Sequence, residues 1–319
     1  MKFLKIGNQS DGLEVSKLVM GTDKIVQKLS SDSEFFYLLD LYTNAGGNCI
    51  DTARIYCDGL SEEAVGRWLK GNGVRNRVVL SSKGCFPDSK NRMAPRLSKQ
   101  DMEQDIDASL KALKTDCIDL YWLHRDDPGR PAEQIIEDLN LFVRSGKIRM
   151  IGCSNWKTER IQRAVRYADS AGLSGFCASQ IQWSLASTRE EIYQDYSVSI
   201  MDEHEYEWYL DRNMPVFAYA SQAQGFFAKM MTGGLSSLSE KVRARFGSPE
   251  NMERLKKAAD LSSQMGVSLS AAALSYITCN RLPAAAIIGS KTPEHLRESL
   301  EAADLDISPE EADALYRVN

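Results

Sequence analysis

The sequence has few residues that could form disulfide bonds or metal sites. Its seven cysteines are an odd number, stand apart along 319 residues and form no CxxC pair. Disulfide frameworks and zinc sites need paired or closely spaced cysteines, so neither is predicted. His204 has no second ligand at zinc spacing and is interpreted as a solvent-facing residue, so no metal is expected. We expect a reduced, cytoplasmic protein.

Long apolar runs and blocks of basic charge are also missing. No apolar stretch approaches the ~18 residues of a membrane span, and residues 1–8 hold no stretch typical of a signal peptide. The 39 Lys and Arg against 44 Asp and Glu leave a net charge of −5. Neither nucleic acid nor a membrane is therefore expected as a partner. The sequence carries no signal for an oligomeric state.

No Pro-, Gly- or Ser-rich linker divides the chain, which is 43% apolar, and we predict a single domain over residues 1–319. Short apolar runs, typical of parallel strands covered on both faces, alternate with helical patterns. The predicted strands are 17–21, 48–53, 77–83, 116–124, 148–155, 175–182, 215–221 and 284–290. Eight such strands alternating with helices predict an α/β fold, a (β/α)8 TIM barrel. A doubly wound sheet is the alternative, although the G-x-G-x-x-G dinucleotide fingerprint is absent.

Caps and turns delimit the other elements. Ser61 and Ser98 are predicted N-caps of two helices because each precedes apolar residues at helical spacing. Further helices are predicted at about 131–146, 158–171 and 203–213. The first 16 residues are predicted to form a β-hairpin that turns near Ser10-Asp11-Gly12. Two long connections are predicted at the C-terminal face of the barrel, 183–202 and 222–266. The second begins with a Gly- and Ser-containing loop, expected to act as a lid, and continues into basic helical sequence.

Ionisable residues stand at the ends of three successive predicted strands. Asp51 ends the second, Lys83 the third and His124 the fourth, and Tyr56 begins the loop after Asp51. Strand C-terminal ends meet at the functional mouth of a barrel, so these four side chains are expected to converge. A nearby ammonium stabilises a phenolate and lowers the pKa of the phenol, and an imidazole can hydrogen-bond a carbonyl. The group therefore suits proton transfer to a carbonyl oxygen.

At these residues the sequence resembles the aldo-keto reductase superfamily. The matching segments occur in family order and span nearly the whole chain. They are Asp51-Thr52-Ala53 with Tyr56, Ser61-Glu62, Val65-Gly66, Ser82-Lys83, Asp119-Leu120-Tyr121 with His124, Gly146-Lys147-Ile148-Arg149, Ile151-Gly152, Ser154-Asn155, Gln180, Ala218-Tyr219, Gly225 and Ile288-Gly289-Ser290-Lys291-Thr292. The resemblance implies a tetrad in which Tyr56 is the general acid, Lys83 lowers its pKa, Asp51 pairs with Lys83, and His124 orients the carbonyl.

The resemblance also implies a nicotinamide cofactor extended across the strand ends, with NADPH preferred over NADH. Asp51 would lie beside it, and other contacts are implied in three groups. At the nicotinamide end they are Gly21, Thr22, Ser154, Asn155, Gln180 and Tyr219; over the pyrophosphate they are Ala220, Ser221, Gln222, Gln224 and Gly225; at the adenosine end they are Ser290, Lys291, Thr292, His295, Glu298 and Ser299. The family's usual residues differ at 220–222, 295 and 299.

The substrate is expected to be a small carbonyl compound held by loops after the strands. Phe86, Trp156 and Trp183, with the charged run 125–127, suggest a pocket both aromatic and polar, and Trp122 fits either that pocket or barrel packing. The run Arg125-Asp126-Asp127 is interpreted as a solvated loop in preference to a substrate contact. A sugar-like or small aromatic carbonyl compound fits such a pocket.

These residues predict an NAD(P)H-dependent oxidoreductase that reduces an aldehyde or ketone to the alcohol. Two other classes stay open. One is a nucleotide-binding regulatory subunit on the same fold, similar to the potassium-channel β subunits. The other is an aldolase-type lyase in which Lys83 forms a Schiff base.

Overall fold

The computed structural model describes residues 1–7, 12–23, 25–29, 31–87, 94–193, 195 and 197–318. The strands are β1 (Phe3–Ile6), β2 (Leu13–Ser16), β3 (Leu18–Gly21), β4 (Cys49–Asp51), β5 (Val79–Gly84), β6 (Ile118–Leu123), β7 (Ile148–Ser154), β8 (Phe176–Gln182), β9 (Val216–Tyr219) and β10 (Ala284–Ile288). In the described residues β3 to β10 close into a barrel in chain order, every neighbouring pair being parallel. The predicted (β/α)8 barrel is confirmed, and each predicted strand overlaps an observed one, with β5 extending one residue beyond its predicted end.

Helices cover the outside of the barrel. They are α1 (Asp32–Asn44), α2 (Leu60–Asn72), α3 (Lys99–Leu113), α4 (Ala132–Arg144), α5 (Thr158–Ala171), α6 (Glu190–Tyr193), α7 (Glu203–Asp211), α8 (Phe226–Gly233), α9 (Glu240–Phe246), α10 (Pro249–Met265), α11 (Leu269–Thr278), α12 (Pro293–Leu300) and α13 (Pro309–Tyr316). Short 3-10 turns lie at Val26–Lys28, Tyr56–Gly59, Arg75–Arg77, Ala223–Gly225, Gly234–Ser237 and Glu301–Ala303. No helix within the described ranges is both long and apolar enough to cross a membrane.

The core has two layers, one between the strands and the surrounding helices and one inside the barrel. All of β3 and β5 is buried, as expected for strands with helices on one side and the barrel interior on the other. Inside the barrel, Val19, Val79 and Trp122 belong to one apolar cluster that also includes Ile6 and Val15 of the hairpin. The hairpin therefore closes the N-terminal end of the barrel and leaves the C-terminal end for a site. Of its predicted turn, residues 10 and 11 lie outside the described residues.

Helix starts match the prediction at one position and differ at another. Ser98 caps α3 with a capping box, in which its side chain accepts from the Asp101 backbone N–H. Ser61 is not a cap, because α2 begins at Leu60, two residues earlier than predicted, and its N-cap is Gly59, whose φ is 94°. The Ser61 hydroxyl is buried and donates to the Thr22 carbonyl oxygen (3.2 Å). It thus ties α2 to the end of β3.

The segment 222–266 contains more helix than a lid-like loop would. It contains α8, α9 and α10, each of which buries apolar side chains. Within 183–202, α6 is followed by a bridge between Gln182 and Ile200. Apolar residues at helical spacing in 226–261 carried the signal for these helices. That the chain forms a single domain stays a prediction.

Two glycines of α2 give a stability test of the helix packing. A Cβ on Gly66 would lie 2.2 Å from the Ala112 carbonyl oxygen of α3, whereas a Cβ on Gly71 has nothing within 4 Å. We expect Gly66→Ala to lower the free energy of unfolding by about 1–3 kcal/mol, because overpacking forces the two helices apart. Gly71→Ala, the matched control, should raise it by up to about 1 kcal/mol through helix propensity. Denaturant midpoints measure both, and equal shifts for the two variants would contradict close packing at Gly66.

Candidate active site

The four residues expected to form a tetrad lie at neighbouring strand ends. Asp51 ends β4, Lys83 is next to last in β5, and His124 follows β6. The parallel registers pair Lys83 with Trp122 and Asp51 with Ser81, so the three ends lie side by side. Tyr56 begins the 3-10 turn that follows β4.

Lys83 is the centre of this group, with 1% of its surface exposed. Its ammonium donates to Asp51 Oδ2 (2.5 Å), to the Thr52 carbonyl oxygen (2.9 Å) and to the Tyr56 hydroxyl oxygen (3.0 Å). An ammonium has three N–H donors, and each of these has one acceptor here. Lys83 is therefore fixed in position between the carboxylate and the phenol.

The ion pair sets the protonation state of both side chains. Burial lowers the pKa of Lys83, but the charge of Asp51 and the Tyr56 oxygen outweigh it, so the net pKa is raised and the amine stays charged. Burial raises the pKa of Tyr56, and Lys83 opposes this rise without reversing it. The net shift of the phenol is thus opposite to the one suggested by the sequence, because loss of hydration penalises a phenolate more than the ammonium stabilises it. Tyr56 consequently keeps its proton at neutral pH.

His124 lies beside the phenol as a neutral imidazole. Its ring meets the Tyr56 ring edge to face, with centroids 5.9 Å apart, and the Phe86 ring at 4.8 Å. Burial, and then the charges of Arg125 and Lys83, hold the pKa of His124 well below its usual value. Its Nδ1 is buried and has no hydrogen-bond partner among the described residues. Since Nδ1 is enclosed by protein, a ligand at the mouth would have to bond the other ring nitrogen, Nε2.

Asp51 is supported by Ser81, which sequence reasoning missed, and by Trp122, which packs inside the barrel as one of its two predicted roles. Ser81 Oγ donates to Asp51 Oδ1 (2.9 Å), and the Trp122 indole N–H donates to Ser81 Oγ (2.7 Å). Side chains alternate along a strand, so Ser81 and Lys83 of β5 share the inward face. This alternation could have identified Ser81 from the sequence, because it stands two residues before Lys83. The carboxylate orientation is thus fixed from inside the barrel as well as by Lys83.

The amide-bearing residues expected at a nicotinamide form one network beside the tetrad. Ser154 Oγ donates to the Gln180 carbonyl oxygen (2.9 Å), Asn155 Nδ2 donates to Ser154 Oγ (2.9 Å), and the Tyr219 hydroxyl donates to Asn155 Oδ1 (2.7 Å). Gln180 Nε2 donates to Asp51 Oδ1 (3.2 Å), which joins this network to the tetrad. Three neighbouring strands therefore present amide and hydroxyl groups next to the phenol.

A second network lies at the end of β10. Gln222 Nε2 donates to Ser299 Oγ (3.0 Å), and Ser299 Oγ donates to the His295 carbonyl oxygen (2.9 Å). Thr292 caps α12 by accepting from the His295 backbone N–H (3.3 Å). Ser290 is buried, Lys291 and His295 are exposed, and Glu298 is half-buried. The segment thus places hydroxyls and a lysine at the N-terminus of an eight-residue helix.

Gly21 and Thr22 lie between these networks, at the end of β3. The Thr22 backbone N–H and hydroxyl both donate to the Asp51 carbonyl oxygen, at 3.0 and 3.2 Å. A Cβ on Gly21 would lie 2.7 Å from Ile287 Cγ2. Close packing of β3 against β10 therefore requires this glycine independently of any ligand.

The turn after β9 completes the expected set. Ala220, Gln224 and Gly225 have φ values of 50°, 58° and 79°, and the Ser221 hydroxyl donates to the Ile287 carbonyl oxygen (2.6 Å). This bond holds the turn against β10. The segment 222–266 accordingly leaves the barrel at its C-terminal mouth.

The predicted pocket aromatics are divided between mouth and core. Trp156 is fully buried against Phe176, and the buried Trp183 donates through its indole N–H to the Tyr276 hydroxyl (3.3 Å). Both belong to the buried core, whereas Phe86 contacts His124. The sequence does not show whether the ring of a single aromatic residue near a strand end lies at the mouth of the barrel or in the core.

The charged run after His124 is ordered, in contrast to the solvated loop favoured by the sequence. Arg160 of α5 donates from Nε and Nη2 to the two carboxylate oxygens of Asp126, at 2.9 and 2.8 Å. Arg125 Nε donates to Ser197 Oγ (3.0 Å). These partners come from elements far along the chain, which is why the run itself did not predict them.

The described residues show no disulfide bond and no metal-binding cluster. All seven cysteines are free thiols. His204 is exposed, with Nε2 3.6 Å from Glu159 Oε1. No group of three or more His, Cys, Asp and Glu in the described part of the chain is placed to hold a metal ion.

A cavity of about 480 Å³ lies at the opposite, N-terminal end of the barrel. Its lining includes Arg75, which bonds Asp119 (2.8 Å), the Thr115 hydroxyl (3.0 Å) and the Cys117 carbonyl oxygen (2.7 Å). The guanidinium therefore links the segment before β5 to the start of β6. The strand-end residues and this cavity are on different faces of the molecule.

Comparison with known proteins gives one family. Residues 17–319 match the family model described as Aldo/keto reductase family. The chain is 27% identical to a protein of Phanerodontia chrysosporium named aryl-alcohol dehydrogenase [NADP(+)], covering 94% of this chain and 81% of that one. It is 26% identical to a norsolorinic acid reductase of Emericella nidulans, covering 94% and 77%. An aldo/keto reductase of Klebsiella pneumoniae, solved in complex with NADP and acetate, superposes with a TM-score of 0.69 at 27% identity, covering 95% of this chain and 90% of that chain.

Proposed function

The chain belongs to the aldo/keto reductase family, and from this premise and the strand-end site we propose that it is an oxidoreductase that reduces an aldehyde or ketone to the alcohol with NADPH. The observation that carries the proposal is the bond from the Lys83 ammonium to the Tyr56 hydroxyl oxygen at 3.0 Å, beside a neutral His124. A protonated phenol polarised by a fixed cation is a general acid, and a neutral imidazole is a hydrogen-bonding partner for a carbonyl.

The residues present fit a nicotinamide dinucleotide. Ser154, Asn155 and Gln180 are buried, polar and next to the tetrad, which suits a carboxamide, and Tyr219 offers a ring at the same place. At the other end, backbone N–H groups at the start of α12 and the Lys291 ammonium suit a phosphate. When bound, the cofactor would supply the hydride. The relatives crystallised with NADP or named for NADP(+) support this choice.

The chain's own residues would handle the proton. Tyr56 would donate its hydroxyl proton to the carbonyl oxygen as the carbon is reduced, and His124 would hydrogen-bond that oxygen and orient it. Lys83, charged throughout, would stabilise the phenolate left behind, and Asp51 would keep the ammonium in place. This division follows from the contacts of Lys83 with both side chains.

The two other classes receive less support. A Schiff base needs a neutral amine, but the pKa of Lys83 is raised by Asp51 and Tyr56 and its ammonium donors are all used. A regulatory nucleotide-binding subunit needs no general acid, and the contact of Lys83 with Tyr56 would then serve no purpose. We therefore retain the reductase.

A panel of aromatic and aliphatic aldehydes, followed at the nicotinamide absorbance with each reduced cofactor, tests the proposal. We expect alcohol products and tighter binding of NADPH than of NADH, because Ser290, Lys291 and Thr292 offer a charge and hydroxyls suited to the extra phosphate of NADPH. Lys291→Met should weaken NADPH binding about 10- to 100-fold, since a charge-assisted contact contributes about 1.5–3 kcal/mol.

Fluorescence titration of both cofactors separates the parts of this prediction. NADH binding should change little in Lys291→Met, which serves as the internal control. Tighter binding of NADH by the wild-type chain would contradict the cofactor choice. Absence of any carbonyl reduction with either cofactor would contradict the reductase itself.

A further inference from the structure

Arg125 directly follows His124 and is held at the mouth by two hydrogen bonds. Its Nη1 donates to the His124 carbonyl oxygen (2.8 Å), and its Nε donates to Ser197 Oγ (3.0 Å). Both acceptors are neutral oxygens, so these two bonds orient the guanidinium. The Ser197 hydroxyl in turn donates to the Asp195 carboxylate (2.6 Å).

The Phe86 ring connects this cation to the imidazole. The guanidinium carbon of Arg125 lies 5.0 Å from the Phe86 ring centroid, and the same ring meets the His124 ring edge to face at 4.8 Å. The imidazole that would bind a carbonyl and an oriented positive charge therefore contact the same ring. Stacking on an aromatic face also keeps the guanidinium planar fork in one orientation.

The charge of Arg125 acts on two side chains of the site, His124 and Tyr219. After burial, it is the largest influence that lowers the pKa of His124, and it opposes the burial-driven rise in the pKa of Tyr219. Its neighbour Asp126 is directed away and bound by Arg160. Of the charged run, the positive member thus faces the site and the adjacent negative member does not.

We propose that Arg125 determines substrate specificity by binding a carboxylate on the substrate, about one aromatic ring away from the reacting carbonyl. A guanidinium matches a carboxylate with two parallel N–H···O bonds, and a partly desolvated mouth strengthens them. The preferred substrates are then aromatic aldehydes or ketones with an acid group opposite the carbonyl. This proposal rests on the proposed reductase function.

A matched pair of substrates tests it. 4-Carboxybenzaldehyde and 4-carbamoylbenzaldehyde have nearly the same shape and differ in charge. We expect wild-type kcat/KM to be about 10- to 100-fold higher for the acid, the ratio that a charge-assisted contact produces. In Arg125→Met the ratio should fall to near one. Arg212→Met, which also removes a ring-stacked arginine but on the far end of α7, should keep the wild-type ratio.

The ratio distinguishes specificity from support of the loop. If Arg125 only holds Ser197 in place, Arg125→Met would slow both substrates equally and leave the ratio unchanged, which overturns the proposal. Equal kcat/KM for the two aldehydes in the wild-type chain would overturn it as well.

Binding of the corresponding alcohols separates this proposal from the reductase function. Calorimetric titration with 4-hydroxymethylbenzoate and 4-hydroxymethylbenzamide, with and without NADP⁺, should show the same preference for the acid and its loss in Arg125→Met. A chain that reduces no carbonyl but keeps this preference would refute the reductase and support the carboxylate site. A chain that reduces both aldehydes but binds both alcohols equally would support the reductase and refute the carboxylate site.

Discussion

Tyr56→Phe should lower kcat for carbonyl reduction by about 10²–10⁴ while cofactor binding stays near the wild-type value, because general acid groups contribute about that factor. The substitution keeps the ring that meets His124 and removes the hydroxyl to which Lys83 donates. Steady-state kinetics on the best substrate and fluorescence titration of NADPH measure the two effects separately.

Tyr167→Phe is the control for removal of a hydroxyl. That phenol donates to Glu137 on the outside of the barrel, so its loss should leave kcat unchanged. A Tyr56→Phe variant that retains near wild-type kcat on every active substrate would exclude the phenol as proton donor.

Lys83→Met should also lower kcat by about 10²–10⁴, with Asp51→Asn causing a smaller loss. The first change removes the cation that polarises the phenol, whereas the second keeps the cation and removes a partner that orients it. A larger loss in Asp51→Asn than in Lys83→Met would contradict this order.

The pH profile gives a second readout for Lys83. Tyr56 is an acid whose pKa is raised, so reduction should be retained through neutral pH and lost as the pH rises through that pKa. Lys83 opposes the rise, so Lys83→Met should raise the phenol pKa further and move the alkaline limb to higher pH. Thermal melting checks that each variant folds, because removing one partner of a buried ion pair costs about 3–5 kcal/mol.

The sequence alone determined the architecture and the position of the tetrad. Apolar runs such as 148–155 suit strands covered on both faces, and parallel strands need helical connections, so an α/β fold followed. The number of strands and the family resemblance favoured a closed barrel over a doubly wound sheet. A barrel in turn brings the C-terminal ends of successive strands together. The convergence of Asp51, Lys83 and Tyr56 therefore depended only on where these residues stand in the strand order.

The tertiary structure decided what depends on contacts between distant residues. The net pKa shift of Tyr56 reflects burial against a charge, and neither quantity is visible in the order of residues. Ser61 carries a cap residue's side chain, but its hydroxyl bonds the end of β3 because Gly59 starts the helix. Arg125 and Asp126 are adjacent in sequence and are drawn to opposite sides by Ser197 and Arg160. Local patterns determine which elements form, whereas desolvation and long-range partners determine the charge and direction of each side chain at the mouth.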